Sequence, residues 1–417
     1  MPRLLWVNHF AVLPQQGGGT RHFELGRELV RRGWEVTVAA SDLNLHTRRY
    51  SARGGESDRR AVDEVVDGVR FRWLWAPPYT ANDWRRARNW LAFSARVRRG
   101  QAGERADVVI GSSPHLFAAL AAERLARRWG VPFVLEVRDL WPESLLAVGA
   151  RRGAFYRALD RIARHLYRRA ARIVVLARGS ADYLAAERGV PREKLVLVPN
   201  GVDVSAFASV DRPERAELTL VYTGAHGPAN GLDAVLDAAE RLRGDGRIRF
   251  LLVGDGPAKA ELVDDARRRG LENVEFRDPI PKAEMPRLLA GADAGLMVLR
   301  QAPLFSFGVS PNKLFDYLGA ALPVVCNVPG EVAAMVADAG AGEQAADASG
   351  AALADAVLRL AAHPPAERAA MGRAGRAWVA REHDRPVLAE RLDRMLREVV
   401  KAQDRSQENG ITRRERR

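Results

Sequence analysis

Short apolar runs alternate with amphipathic stretches along almost the whole chain. Runs at 4–7, 35–39, 69–75, 108–110, 133–137, 173–176 and 195–198 are rich in Val, Leu and Ile without a helical period, and predict strands. Between most of them the apolar positions recur at helical spacing, over 21–32, 114–129 and 179–187. Strand, helix, strand is the alternation that builds a parallel sheet covered by helices on both faces. The second half repeats it, with strands at 218–222, 250–253, 274–276, 295–299 and 323–326 and helices at about 232–243, 258–269, 283–290 and 312–320.

At 417 residues the chain is too long for a single hydrophobic core, so two domains are expected. The boundary falls near Pro199-Asn200-Gly201, where Asn-Gly follows an apolar strand and signals a turn. The expected architecture is α/β: a Rossmann-like domain over 1–199 and a second over 200–385, each a doubly wound parallel sheet, facing each other across a cleft. A last helical pattern over 386–402 follows the second sheet and is expected to cross back onto the first domain. From 403 to 417 the chain is polar and charged, and a disordered tail is expected.

The net charge of +13 is unevenly spread: residues 1–200 carry 35 Lys and Arg against 20 Asp and Glu, whereas residues 201–400 carry 24 against 29. Only five of the 65 basic residues are lysines, so Arg is a chain-wide preference and no single arginine is informative by its type. The asymmetry between halves remains. It points the first domain toward an anionic partner, whether a membrane surface, a lipid-linked phosphate or a polyanion. Residues 84–99 hold Arg85, Arg86, Arg88, Arg96, Arg98 and Arg99 with Trp84 and Trp90 and no acid, a composition suited to anionic lipid. Between Arg151 and Arg172, one helical face carries Phe155, Leu159, Ile162, Leu166 and Ala170 and the other Arg157, Arg161, Arg164, Arg168 and Arg172. A solvated Arg face above an apolar face packed on the sheet is the alternative account of that helix. The single cysteine, Cys326, excludes an intramolecular disulfide, and no apolar run approaches membrane-spanning length. The first strand is too short for a secretory signal core. The expected location is therefore cytoplasmic, peripheral on the inner face of the plasma membrane.

Candidate chemistry lies after the strands. Gly17-Gly18-Gly19-Thr20-Arg21 precedes a helix, where backbone N–H groups can cradle an anion; a flexible connection is the alternative. Arg138 and Asp139, in Glu136-Val137-Arg138-Asp139-Leu140-Trp141-Pro142-Glu143, end a strong strand and are expected in the cleft, unless they pair to fasten a loop. His115 is either an acceptor or phosphate ligand or an ordinary first-turn residue, and Asn8 and His9 pose the same choice. In the second half, Gly224-Ala225-His226-Gly227-Pro228-Ala229-Asn230 follows a strand and offers amides to a phosphate. Gly254-Asp255-Gly256 begins a dinucleotide fingerprint without its third glycine. The most informative passage is Ser310-Pro311-Asn312-Lys313-Leu314-Phe315-Asp316. Lys313 and Asp316 are three apart at the start of a helix, so they share a face near free N–H groups that favour phosphate. An exposed helical ion pair is the alternative.

Taken with Pro199-Asn200-Gly201-Val202-Asp203, this passage resembles the retaining family 4 glycosyltransferases, and the resemblance covers nearly the whole chain. It implies the GT-B arrangement and transfer of a sugar from a nucleotide diphosphate sugar, with a UDP-sugar expected, and with retention at the anomeric carbon. It implies that Gly18, Gly19 and Thr20 lie over the donor diphosphate and acceptor. Gly224, His226 and Asn230 would belong to the diphosphate loop, Gly254 and Gly256 would allow close approach to the nucleotide, and Pro279 and Ile280 would flank the nucleobase. Ser310, Pro311, Asn312 and Lys313 would hold the donor, and Asp316 the ribose hydroxyls. Arg138, Asp139 and Lys313 are the expected catalytic residues, and Asn8, His115 and Glu143 the expected acceptor contacts.

The sequence departs from the family pattern in places. Arg138 stands where many relatives have a histidine, the arginine and lysine usual at Ala225 and Asn230 are missing, and Gly308 replaces the first acid of the usual pair. The donor sugar is then expected to be held by the backbone of 307–310. Nothing resembles an Asp-x-Asp metal site and no cofactor is implied; helix N-termini, loop amides and Lys313 would neutralise the diphosphate. Similarity to transferases of bacterial surface-polysaccharide assembly, amino-sugar transferases among them, implies a polyprenyl-diphosphate-linked acceptor. Three rivals stand. The lost charges suit a non-catalytic GT-B nucleotide- or lipid-binding partner protein. A NAD-dependent oxidoreductase would need a complete glycine fingerprint and a ribose-binding acid about 20 residues on. A nucleic-acid binder is opposed by the acidic second half.

Overall fold

Aliphatic runs buried on both faces favour parallel strands, and the first half of the chain folds as they dictate. A computed structural model describes the chain apart from residues 17, 46, 54–57, 81–82, 148–150, 208–216, 302–307 and 416–417, with side chains described to residue 405. It divides into two units, Met1–Val198 with Leu388–Arg417, and Pro199–Val387. In the first unit the strands are β1 (Arg3–Val7), β2 (Glu35–Ser41), β3 (Val62–Val66), β4 (Val69–Leu74), β5 (Val108–Ser112), β6 (Phe133–Val137), β7 (Arg172–Val175) and β8 (Leu195–Leu197). They form one sheet in the order β3-β4-β2-β1-β5-β6-β7-β8. Each neighbouring pair is parallel except β3 and β4, an antiparallel hairpin turning through Asp67 and Gly68, both at positive φ. The helices are α1 (Arg21–Arg31), α2 (Trp84–Arg98), α3 (Leu116–Trp129), α4 (Glu143–Ala147), α5 (Ala154–Arg169) and α6 (Arg178–Arg188).

The second unit has the parallel order β11-β10-β9-β12-β13-β14, from β9 (Leu218–Thr223), β10 (Ile248–Val253), β11 (Val274–Arg277), β12 (Ala294–Met297), β13 (Val324–Cys326) and β14 (Gly342–Gln344). Its helices are α7 (Leu232–Arg241), α8 (Lys259–Arg268), α9 (Met285–Ala290), α10 (Asn312–Gly319), α11 (Glu331–Asp338), α12 (Gly350–Ala362) and α13 (Pro365–Glu382). Each sheet reverses its strand order beside its first strand, between β1 and β5 and between β9 and β12. Ligands of open α/β sheets sit outside the carboxyl ends of the strands at such a reversal.

The last helix, α14 (Arg385–Glu415), belongs to the first unit from Leu388 onward. Leu388, Leu392 and Leu396 are buried with Trp34, Val36 and Val38. Asp393 accepts a hydrogen bond from Trp34 Nε1 at 2.6 Å, and Arg397 donates to the Arg32 carbonyl at 2.7 Å. The helix runs to Glu415, which corrects the disordered tail expected from 403. Residues 401–409 are mostly Lys, Gln, Asp, Arg and Glu, and helix propagates readily through such residues from a packed first half.

Candidate functional site

At the carboxyl edge of the first sheet a buried network ties the glycine segment to the strand ends. Glu136 of β6 is fully buried; it accepts from Arg21 Nε at 2.9 Å and from Ser112 Oγ at 2.6 Å, and lies 3.0 Å from His22 Nε2. Arg21 also donates to the Val198 carbonyl at 2.7 Å, and Trp6 Nε1 donates to Ser112 Oγ at 3.0 Å. Burial alone would push the Glu136 carboxyl up, but Arg21 and the bond to His22 outweigh it and hold the group well below the usual range. Burial lowers His22 to about 4, so its imidazole is neutral. Arg21 and His22 open α1, so the helix that follows the glycines is pinned to the strand that carries Arg138 and Asp139.

Gly19 and Arg138 come together: a Cβ at Gly19 would lie 3.9 Å from Arg138 Nη2. Among the described residues Arg138 Nε is buried without a hydrogen-bond partner, and Ser113 Oγ accepts from the Arg138 N–H at 2.9 Å. Gly18 has φ +120°, and Thr20 Oγ1 donates to Glu24 Oε1 at 2.5 Å. Gly17 lies outside the described residues. Asp139 as a residue is exposed, yet its carboxyl is set deep enough that desolvation raises its pKa, an effect Arg138 opposes.

Asn8, His115 and Glu143, the expected acceptor contacts, are all buried. Asn8 is 1% exposed, accepts from the Phe10 N–H at 2.8 Å and lies 2.8 Å from His22 Nε2. His115 caps α3 by accepting from the Ala118 N–H at 3.3 Å, and Trp90 stacks on its ring at 5.0 Å. Burial lowers its pKa well below the ordinary value, with His9 and Arg86 adding to the effect. Glu143 pairs with Arg188 and accepts from Tyr183 OH at 2.9 Å. Neighbouring groups engage at least one polar atom of each, while His115 Nε2 and Glu143 Oε2 are buried with no hydrogen-bond partner among the described residues.

In the second unit the two motifs that carry the family resemblance meet. The Asn200 N–H donates to Ser310 Oγ at 2.8 Å and Asn200 Nδ2 to the Ser310 carbonyl at 2.7 Å. Pro311 precedes α10 with no side-chain cap, Asn312 is exposed, and Lys313 follows. Lys313 Nζ donates to Tyr222 OH at 2.9 Å and stands 4.1 Å from the Tyr222 ring centroid. Among the described residues it forms no ion pair, and burial lowers it to about 7. Tyr222 OH in turn donates to the Ala225 carbonyl at 2.8 Å. A Cβ at Gly224 would meet Lys313 Nζ at 3.6 Å, so the loop after β9 runs beside the ammonium, with Gly224 and Ala225 exposed.

His226 is fully buried, and among the described residues neither ring nitrogen has a hydrogen-bond partner; burial lowers it to about 4, and Lys259 and Lys313 add to the effect. Asp316 is partly buried one turn beyond Lys313, and the Asn230 N–H donates to the Gly227 carbonyl at 3.0 Å. Pro279 is exposed, while Ile280 packs on the apolar cluster that includes Leu289 and Met297. Gly308 is partly buried at φ +82°, and residue 307 lies outside the described residues.

Gly254 and Gly256 are sites of close backbone approach within the protein itself. A Cβ at Gly254 would lie 1.8 Å from the Gly224 carbonyl oxygen, and one at Gly256 2.5 Å from that of His226. The closely approaching backbone is the protein's own loop, which these two glycines support from behind. Tyr222 is the residue that sequence reasoning missed, since it sits inside an apolar strand; its place near the carboxyl end of that strand is the signal. Among the described residues no group of three or more His, Cys, Asp or Glu is placed to hold a metal ion.

The basic segments differ from each other. On α2, Trp84 is 65% and Leu91 54% exposed, with the Arg85 and Arg88 guanidiniums 5.8 and 5.6 Å from the Trp84 ring. Beside Leu91 a groove of about 230 Å³ runs between α2 and α3, lined by Phe117 and Leu120 and edged by Arg98 and Arg124. On α5, Leu159 and Leu166 are buried as expected, but Phe155 in the first turn is 61% exposed. Arg164 bonds Asp160 at 2.8 Å, so part of the Arg face is neutralised within the fold, and Arg169 outside that face bonds Glu123 at 3.2 Å. No helix among the described residues is long and apolar enough to cross a membrane.

Comparison with known proteins bears on this geometry. Residues 16–201 match the family described as Glycosyl transferase 4-like domain, and residues 217–363 that described as Glycosyl transferases group 1. The putative colanic acid biosynthesis glycosyl transferase WcaI of Escherichia coli is 29% identical over 228 residues, a match that spans 51% of this chain and only 55% of that protein. Sucrose-phosphate synthase from Thermosynechococcus elongatus shares the fold with a TM-score of 0.72 at 16% identity, over 96% of this chain and 100% of that one. Anabaena Alr3699/HepE, solved in complex with UDP and glucose, does so with a TM-score of 0.67 at 15% identity, over 95% and 100%. With both family matches falling in succession on two parallel-sheet units that share the fold of solved GT-B enzymes, the chain belongs to the family 4 glycosyltransferases of GT-B fold.

Proposed function

We propose that this chain transfers a sugar, with retention at the anomeric carbon, from a UDP-sugar to a polyprenyl-diphosphate-linked acceptor during assembly of a cell-surface polysaccharide. The observation that carries the reading is Lys313. Its ammonium has no counter-ion among the described residues and stands beside an exposed glycine loop where the strand order reverses. Such a cation is incomplete without an anion. In this reading Lys313, the amides of the Gly224 loop and the uncapped first turn of α10 neutralise the leaving diphosphate, so no metal is needed. Asp316 takes the ribose hydroxyls, and the second unit is the donor-binding body. Gly18, Gly19, Thr20, Arg138 and Asp139 of the first unit serve the sugar and acceptor. The bond from the anomeric carbon to the leaving phosphate oxygen breaks, the acceptor oxygen bonds to that carbon on the same face, and the leaving phosphate takes the acceptor's proton.

The solved Anabaena relative, with its UDP and glucose, supports the donor class, and the naming of WcaI for colanic acid biosynthesis supports the pathway class. The exposed Trp84 and Leu91 amid arginines on α2 support peripheral attachment to an anionic membrane on its cytoplasmic side. Calorimetric titration of Lys313→Ala with UDP tests the reading. A charge-assisted hydrogen bond is worth about 1.5–3 kcal/mol, so the dissociation constant should rise about ten- to hundredfold. An unchanged constant removes Lys313 from the phosphate site. Thermal stabilisation by NAD in preference to UDP-sugars and GDP-sugars would favour an oxidoreductase instead. UDP-sugar binding without turnover would favour a partner protein.

A further inference from the structure

Among the described residues the Lys313 ammonium is held by one side chain, and that side chain also holds the loop. Tyr222 OH accepts from Lys313 Nζ at 2.9 Å and donates to the Ala225 carbonyl at 2.8 Å, while its ring face lies 4.1 Å from the same ammonium. We propose that Tyr222 is a positioning residue for the donor, whose phenol fixes the Lys313 ammonium and the Gly224–His226 backbone as one rigid diphosphate clamp. This rests on the reading of Lys313 as the partner of the donor diphosphate.

A lysine carries a flexible four-carbon stem, and an anion that must order it on binding loses affinity. Here the ordering is done in advance, by a hydrogen bond and by the ring quadrupole acting on the same cation. A phenol supplies one O–H donor and an acceptor lone pair, and Tyr222 uses both on elements of the donor side. A phenylalanine would fill the same buried space, so packing alone does not account for the hydroxyl. The loop is closely backed, since a Cβ at Gly254 would lie 1.8 Å from the Gly224 carbonyl oxygen and one at Gly256 2.5 Å from that of His226.

The titratable groups around Lys313 are Tyr222 on β9, His226 in the loop that follows, and Asp316 and Tyr317 on its own helix. Burial keeps both phenols protonated and the imidazole neutral, with Lys259 and Lys313 adding to its low pKa. Lys313, lowered to about 7, changes charge near neutrality. Its cationic form persists below that pH and is lost above it, so UDP affinity should fall as pH rises through about 7.

The experiment is UDP titration of the full chain from pH 6 to 9, on wild type, Tyr222→Phe, Lys313→Ala and the double variant, with thermal midpoints recorded alongside. The ionisation of UDP itself is common to all four and cancels in the comparison. Tyr222→Phe removes a hydrogen bond to the charged form, which lowers the Lys313 pKa. UDP affinity at pH 7 should drop about five- to tenfold and the decline with pH should begin about half a unit lower. In the Lys313→Ala background the same change should add almost nothing. A Tyr222→Phe profile that overlays the wild type, or losses that simply add in the double variant, overturns the proposal. A lower thermal midpoint with an unmoved pH profile assigns Tyr222 a structural role only. If Lys313→Ala itself binds UDP like the wild type, the underlying reading fails; if it binds weakly while Tyr222→Phe does not, only this inference fails.

Discussion

Replacing Glu136 with Gln keeps the shape of the buried network in the first unit and removes the carboxylate charge that Arg21 meets. Arg21 is 2% exposed and its Nε lies 2.9 Å from that carboxylate, so the substitution takes a negative charge away from a buried guanidinium. Breaking a buried ion pair by deleting one partner costs about 3–5 kcal/mol. For a body of this size each kcal/mol moves the thermal midpoint by about 2–4 °C, so a drop of roughly 6–20 °C is expected. Tryptophan fluorescence during guanidinium unfolding reads the right unit, because eight of the nine tryptophans lie in it. The pH dependence gives an independent check. Glu136 is depressed in the folded state, so its contribution is complete above the unfolded carboxyl pKa, about 4.3, and is lost as pH falls through and below it. His22 is depressed from 6.5 to about 4, so the wild type also loses stability as pH falls between those values. The Gln variant should lack the Glu136 part of the acid limb. A stability loss under about 1 kcal/mol at pH 7 with an unchanged acid limb would refute the reading of Glu136 as the anion that neutralises Arg21.

Two further outcomes are expected. Gly254→Ala would put a Cβ 1.8 Å from the Gly224 carbonyl oxygen at φ +153°, so the loop must shift; UDP affinity should fall at least about tenfold. Wild-type UDP affinity in that variant would show that the glycine does not support the loop. Changing Arg85, Arg86, Arg88, Arg96, Arg98 and Arg99 to Gln removes about 1 kcal/mol of attraction to an anionic surface per residue near it, so cosedimentation with anionic vesicles should drop sharply while UDP affinity stays put. Unaltered sedimentation ends the membrane assignment.

Long aliphatic strands and the helices between them were legible because their pattern is one of burial, which residue type reports directly. Strand β14, Gly-Glu-Gln, carries no apolar signal and exists because its neighbour offers a free edge. The alternating β3 depends likewise on its hairpin partner. At the sites, Lys313 stood out through its rarity and its place before a helix. Tyr222 and Glu136 did not, since each occupies a position in an apolar run where an uncharged or aliphatic residue would read the same. Gly254 and Gly256 were legible as sites of close approach, but the partner in that approach turned out to be the protein's own loop. Which polar group answers which is decided by the crossing of distant segments, as in the 115 positions separating Arg21 from Glu136.

Because α14 supplies Leu388, Leu392 and Leu396 to a core otherwise made of residues before 199, the first unit is discontinuous along the chain. During synthesis its sheet emerges first yet stays open on one side until the entire second unit has left the ribosome. Nascent chains paused in between would present Trp34 and the apolar residues around it to chaperones, and an expression fragment ending near Val198 would carry that same unsealed surface.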